Sequence, residues 1–289
     1  MIPPTVTVSV WSYCQHACAY CVAGSNAIRW TPKLTFEIWK PAGFEHADDF
    51  ELRGLFGPEW WHEQCPDKER YLNPADVLSF DALTDWLIRF RPGATVHVSG
   101  GEPLLRPDIE SGVEQLLENG FPVVMVTNGV LIPKRPNLLD MPIKWAVTYH
   151  QGSVHLECFK RVIEPLKSCS HVIHTVVSSF EHARRLPDIE KEFSGFNFLA
   201  KWDRNPRRTN PTLKADPLDL VDPASHLLTL ITPNGAVYPC NTCAHGPVGD
   251  IYSLQFDEAK ARERDSMSRA CLENNRCAAY QSAVLMASL

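Results

Sequence analysis

At 289 residues the chain has room for one α/β domain of barrel size, or for a main domain with a small appendage. Hydrophobic content of 44% and charged content of 21% are those of a globular protein, and no apolar run approaches the roughly 18 residues of a membrane helix. A net charge of −6 argues against broad non-specific binding to nucleic acid, while leaving room for a local basic site. The N-terminus shows no basic leader, long apolar core or small-residue cleavage site, so no signal peptide is read and a reducing cytosol is expected.

Thr5–Val10, a β-branched run, predicts the first strand, and Cys14-Gln15-His16-Ala17-Cys18-Ala19-Tyr20-Cys21 follows it. Residues 28–78 are rich in proline and aromatics, among them Trp30, Trp39, Trp60 and Trp61, and read as an insertion over one face of the domain. Its rings either keep an irregular segment docked or wall a substrate pocket. From Ser79 to Phe90 a helix is predicted, with Ser79 as N-cap and Leu83, Trp86, Leu87 and Phe90 on one face; Pro92-Gly93 ends it. Thr95–Ser99 is the second strand and runs into Gly100-Gly101-Glu102-Pro103.

Asp108 to Asn119 predicts a helix stopped by Gly120, and the apolar run Phe121–Thr127 a doubly covered third strand that ends at Asn128-Gly129. Ile143–Tyr149 is the fourth strand, ending at His150-Gln151-Gly152. A helix over about Val154 to Leu166, a fifth strand His171–Ser178, a helix Glu181 to Phe193 broken at Pro187, and a short sixth strand Phe196–Ala200 complete the series. Alternation of this kind gives an α/β barrel or an open doubly wound sheet, and six units are too few for the full eight-stranded barrel.

Past Ala200 the basic residues Lys201, Arg204, Arg207, Arg208 and Lys214 mix with prolines. They read as a solvated linker, with Asp216, Asp219 and Asp222 following closely; contact with a phosphate is the other reading. Leu227–Thr232 and Ala236–Pro239 flank Pro233-Asn234-Gly235 and predict a hairpin. A last helix is expected over about Asp257 to Ser268.

The ten cysteines are unevenly spread. Cys14, Cys18 and Cys21 lie near the start; Cys240, Cys243, Cys271 and Cys277 lie near the end; Cys65, Cys158 and Cys169 stand apart. Clustered thiols in a reducing compartment read as metal ligands rather than disulfides. Three thiolates are one short of the four that close an iron–sulfur cluster, and an iron with an open position can bind a substrate. A partial zinc site is the alternative; it would need a fourth ligand, and His16 is poorly placed to share its neighbours' ion.

Cys-x3-Cys-x2-Cys with an aromatic residue before the last cysteine, after the first strand, resembles the signature of the radical S-adenosylmethionine (radical SAM) superfamily. Gly100-Gly101-Glu102-Pro103 resembles that superfamily's SAM-binding motif, and Thr127-Asn128-Gly129 its usual third-strand ending. The likeness runs from about Val6 to Ala200. It implies a partial (β/α)6 TIM-like barrel and a [4Fe–4S] cluster held by Cys14, Cys18 and Cys21, with the fourth iron chelating the amino and carboxylate groups of SAM. Gly100 and Gly101 would let backbone approach the ligand, and Glu102 would complement its amino group. Tyr20 is a candidate to pack on adenine. Asn128 belongs to the cofactor-binding set, as do the ends of the fourth and fifth strands, near His150 and Ser178, where a capping or core role is the alternative. The implied chemistry is reductive cleavage of SAM to a 5′-deoxyadenosyl radical, which takes a hydrogen atom from the substrate. An external one-electron donor, flavodoxin- or ferredoxin-like, is implied with it.

The C-terminal group, from Leu230 through Cys240 and Gly249 to Cys277, resembles the shortened auxiliary-cluster extension called a twitch (SPASM-like) subdomain. Cys240, Cys243, Cys271 and Cys277 would close one further cluster, [4Fe–4S] or [2Fe–2S]; a structural zinc site is the alternative. The expected division is therefore a core over 1–200, a linker over 201–225 and a small β-hairpin/helix subdomain over 226–289. Cys65, Cys158 and Cys169 are expected to be buried structural thiols, or else hydrogen donors to a product radical. Similar enzymes often modify peptides and some oxidise small molecules, whereas the thirteen residues before Cys14 leave no space there for a leader-binding domain. A nucleotide or nucleic-acid base is the rival substrate, and a non-catalytic metal-binding or electron-transfer protein the rival class.

Overall fold

Alternating valines set the first strand: Val6 and Val8 of β1 (Thr5–Ser9) are fully buried, as are Val96 and Val98 of β4 (Thr95–Ser99), and the two strands pair in parallel with Val8 opposite Val98. In this computed structural model the described residues are 4–11, 13–14, 26–27, 77–151, 154–177, 180–202, 229–239 and 247–261. Two short strands, β2 (Tyr13–Cys14) and β3 (Asn26–Ala27), pair in parallel as a separate two-stranded sheet. From β4 the sheet continues through β5 (Val123–Thr127), β6 (Lys144–Tyr149), β7 (His171–Val177) and β8 (Phe198–Trp202), each parallel to the last. These are the six strands expected from the sequence. The fold is mixed α/β with a parallel sheet, consistent with a partial TIM-like barrel.

Helices connect the strands: α1 (Phe80–Phe90), α2 (Ile109–Glu118), α3 (Pro136–Asp140), α4 (Leu156–Ile163) and α5 (Phe180–Glu192). Ser79 caps α1, its Oγ accepting from Ala82 N at 3.3 Å, and Leu83, Trp86 and Leu87 are wholly buried, as their spacing requires. The helices and one strand face share a core that includes Val6, Val98, Met125, Trp145 and Ile173. Val124, Ala146 and Val172, with Val126 and Leu199, form a separate apolar cluster from strand residues of the other face.

Strand starts differ from expectation for identifiable reasons. β5 begins at Val123, not Phe121, because Phe121 N still donates to Leu116 O as the end of the α2 cap, with Gly120 at φ +79°, and Pro122 has no N–H to offer. β8 begins at Phe198 because Phe196 N donates back to Phe193 O. α4 passes at Glu164 into a 3-10 turn, Glu164–Ser168. α5 runs through Pro187 without a break; the packing of Leu186, Ile189 and Phe193 outweighs the single lost hydrogen bond.

The C-terminal hairpin joins the same sheet. β9 (Thr229–Ile231) pairs in parallel with the other edge of β1, and β10 (Ala236–Tyr238) returns antiparallel. Gly235, at φ +86°, closes the turn, its N–H donating to Thr232 O. A second hairpin absent from the sequence reading, β11 (Gly249–Asp250) and β12 (Gln255–Phe256), completes the order β12-β11-β10-β9-β1-β4-β5-β6-β7-β8. It docks on α1: the Trp86 and Phe256 rings meet edge-on at 5.4 Å, Trp86 Nε1 donates to Gln255 O, and Arg91 lies over Phe256 and pairs with Glu258 at 3.2 Å. A helical turn then starts at Glu258; the rest of the expected last helix, like residues 28–76 of the insertion read over 28–78, lies outside the described residues.

Candidate active site

Because β1 and β4 to β7 are parallel, their C-terminal ends share one edge of the sheet, the edge where sites in such sheets form. Cys14 comes just beyond β1, is buried, and sits in the β2–β3 pair that gathers the two ends of the loop carrying Tyr20, Cys18 and Cys21. Those three residues, Ser178, Cys65 and the C-terminal cysteines Cys240, Cys243, Cys271 and Cys277 lie outside the described residues. Among the described residues no three metal-ligating side chains come together.

The Gly100-Gly101 segment lies directly on the lead-in to the cysteine loop. Val10 N donates to Ser99 O at 2.9 Å, and Gly101 N to Trp11 O at 2.8 Å. Gly100 has φ +135°, and a Cβ there would stand 2.4 Å from Trp11 O and 3.1 Å from Ser9 Oγ. Only glycine allows this approach. The donor set fits the expected cofactors on this observation: a buried thiol, Cys14, follows the strand exit, and a backbone platform without side chains lies against Trp11, three residues before it.

Glu102 is turned into the framework. Its Oε1 accepts from Leu104 N and from Thr127 Oγ1 (2.6 Å), and its Oε2 from Asn128 N (2.9 Å), so it ties the end of β4 to the end of β5. Asn128 Oδ1 in turn accepts from Val130 N, and Gly129 at φ +79° passes Val147 where a Cβ would meet its methyl at 2.5 Å. Burial pushes Glu102 up to about 7, the three hydrogen bonds opposing it only in part. An unfolded chain gives up this proton near 4.5, so Glu102's stabilising share is complete below that pH, declines as pH rises to about 7 and is constant above. The expected loss is on the order of 3 kcal/mol. Urea unfolding at pH 5 and pH 8, compared with Glu102→Gln, measures it; identical pH dependence in the two proteins counts against this reading.

His150 follows β6 at the same edge, partly exposed, and desolvation lowers its imidazole to about 4, which keeps it neutral at pH 7. Cys158 and Cys169 are not brought to this edge. Cys158 is buried on α4 in the helix-side core, and Cys169 precedes β7 at the opposite end of the strands, its thiol directed at Leu139 O. Their surroundings are those of structural thiols.

Two arginines escaped the sequence reading. Arg106, 2% exposed, donates to Val10 O at 3.1 Å, forms a bidentate pair with Asp108 and stacks over the Phe80 ring at 4.4 Å. That pair holds the Asp108 carboxyl below its usual range. Arg135, after β5, donates to Leu104 O and Arg106 O. The only sequence signal was two arginines in loops on either side of α2.

At the other side of β1, β10 heads away from the Cys14 edge. From its end, at Tyr238 and Pro239, the chain runs on toward Cys240 and Cys243, and it returns where Val248 N donates to Val237 O at 2.8 Å.

Residues 8–144 match the Radical SAM superfamily. The fold resembles that of SuiB from Streptococcus suis bound to S-adenosylmethionine, at 13% identity and TM-score 0.55, covering 92% of this chain and 68% of that one. It resembles SuiB bound to the precursor peptide SuiA at 13% identity and TM-score 0.53, covering 92% and 67%. No curated protein matches the sequence. Residues 8–144 thus carry a radical SAM domain, and the chain is an enzyme. A [4Fe–4S] cluster and SAM are what that domain implies as cofactors. No described helix is long and apolar enough to cross a membrane.

Proposed function

We propose that the chain modifies a peptide by hydrogen abstraction, holding a [4Fe–4S] cluster on Cys14, Cys18 and Cys21 and SAM against Gly100 and Gly101. The observation that carries this reading is the contact of Gly101 N with Trp11 O, which sets the glycine platform three residues from Cys14. When bound, the cluster supplies the electron that splits SAM. The protein's own share is positional: Gly100 and Gly101 present backbone without side chains, Asn128 and neutral His150 border the same edge, and Glu102 locks the platform to β5.

A peptide is favoured by the fold likeness to SuiB, whose structure holds a precursor peptide. Cys240, Cys243, Cys271 and Cys277 serve in this reading as ligands of one auxiliary cluster in a twitch-like extension over 226–289, and a flavodoxin- or ferredoxin-like protein donates the electron.

Anaerobic reconstitution with iron and sulfide, followed by incubation with SAM and dithionite, should give 5′-deoxyadenosine. A yield no higher than that of a Cys18→Ala control sinks the proposal.

A further inference from the structure

The loops that leave β1, β4 and β5 are sewn together by side chains outside the two cysteine- and glycine-bearing motifs, and one residue sits at the centre of the stitching. Arg106 is almost wholly buried, although guanidinium groups are rarely so. Each face of it is used. Nη1 reaches Val10 O, the carbonyl next to the one that receives Gly101 N. Nε and Nη2 are gripped by Asp108 at the start of α2. The planar face rests on Phe80, whose ring also fills the space where a Cβ on Gly112 of α2 would stand, at 2.1 Å. Arg106 O receives Arg135 Nη2 at 2.8 Å, which brings in the segment after β5.

We infer that Arg106 is the positioning residue that fixes Val10–Trp11, the strand exit that leads to the cysteines, against the glycine-rich loop, and so sets how SAM meets its binding platform. This rests on the radical SAM reading above. Buried charge is costly, and a loop that needed only stability could be held by apolar packing. A forked, planar donor does what apolar packing cannot: it defines the Val10 carbonyl and the α2 terminus in one geometry. Arg106 touches neither SAM nor the cluster in this account; it acts through Val10 and the Ser99–Gly101 backbone.

The test compares reconstituted wild type with Arg106→Met, Arg106→Lys, Asp108→Asn and, as a remote destabilised control, Trp86→Ala. Iron content and melting temperature are measured first. SAM is then titrated into the dithionite-reduced proteins while the cluster's electron paramagnetic resonance spectrum is followed, and KM for SAM and kcat for 5′-deoxyadenosine are determined. Arg106→Met is expected to keep its iron but to need about 10-fold more SAM for the spectral change, with KM rising alike, as for lost outer-shell support of a metal site. Arg106→Lys recovers part of the loss, and Asp108→Asn shows a smaller shift in the same direction. The inference is overturned by an unchanged SAM midpoint in both Arg106→Met and Asp108→Asn, or by an equal shift in Trp86→Ala. Should Arg106→Met fail to fold, Asp108→Asn against Trp86→Ala decides. A wild type without any SAM-dependent change defeats the parent reading instead and is thereby distinguished.

Discussion

Gly100→Ala should lower 5′-deoxyadenosine formation by at least ~100-fold, the loss expected when reacting groups are displaced by about an ångström. Two effects act together. The residue sits at φ +135°, a conformation that L side chains rarely adopt, and its new methyl would stand 2.4 Å from Trp11 O. The obstacle is backbone rather than a flexible side-chain end, so the Ser99–Gly101 segment must withdraw from Trp11 and the hydrogen bond from Gly101 N is strained or lost. The damage falls on the backbone contact between the strand exit at Trp11 and the glycine platform, and removes no buried apolar side chain. Melting temperature should therefore change much less than rate. A Gly100→Ala enzyme with wild-type turnover would show that the close approach is not needed for the reaction.

Trp86→Ala should have the largest effect on stability, about 3–5 kcal/mol for a wholly buried indole. Its ring contacts Phe90 at 5.4 Å and Phe256 edge-on at 5.4 Å, and its N–H is satisfied by Gln255 O. Truncation thus opens a cavity, leaves Phe256 without its main aromatic partner and loosens the second hairpin from α1. A fall in Tm on the order of 10 °C is expected by calorimetry or circular dichroism. Phe256→Ala should cost less, and the double variant less than the sum, because both remove one contact. Strict additivity would mean that the two rings do not support each other.

The elements that could be read from sequence are those whose cause is local. Ser79, Leu83, Trp86 and Leu87 define α1 by capping and spacing alone, and the valines of β1 and β4 define strands by alternation. The gathering of Cys14, Gly100, Asn128 and His150 on one edge followed from parallel strands, without any distance being known. The rest depended on partners remote in sequence. β11 and β12 are two residues each, too short for a period to register. Arg106 looked like an ordinary loop cation because its partners include a backbone carbonyl, Val10 O, which carries no residue-type signal. Glu102 was read as a complement to the SAM amino group; that its oxygens accept from Leu104, Thr127 and Asn128 depends on how the β4 and β5 ends lie together and carries no sequence signal.

The placement of β1 between β4 and β9 bears on biosynthesis. A nascent chain completes β1 first, yet one of the strand's two hydrogen-bonding edges stays open until residues 229–231 leave the ribosome, since nothing nearer in sequence pairs there among the described residues. Throughout that interval a valine-rich strand offers an unpaired edge to any other chain. Late closure by so distant a segment raises contact order and slows folding. The strand that leads into Cys14 is thus made more than two hundred residues before the segment that encloses its second edge.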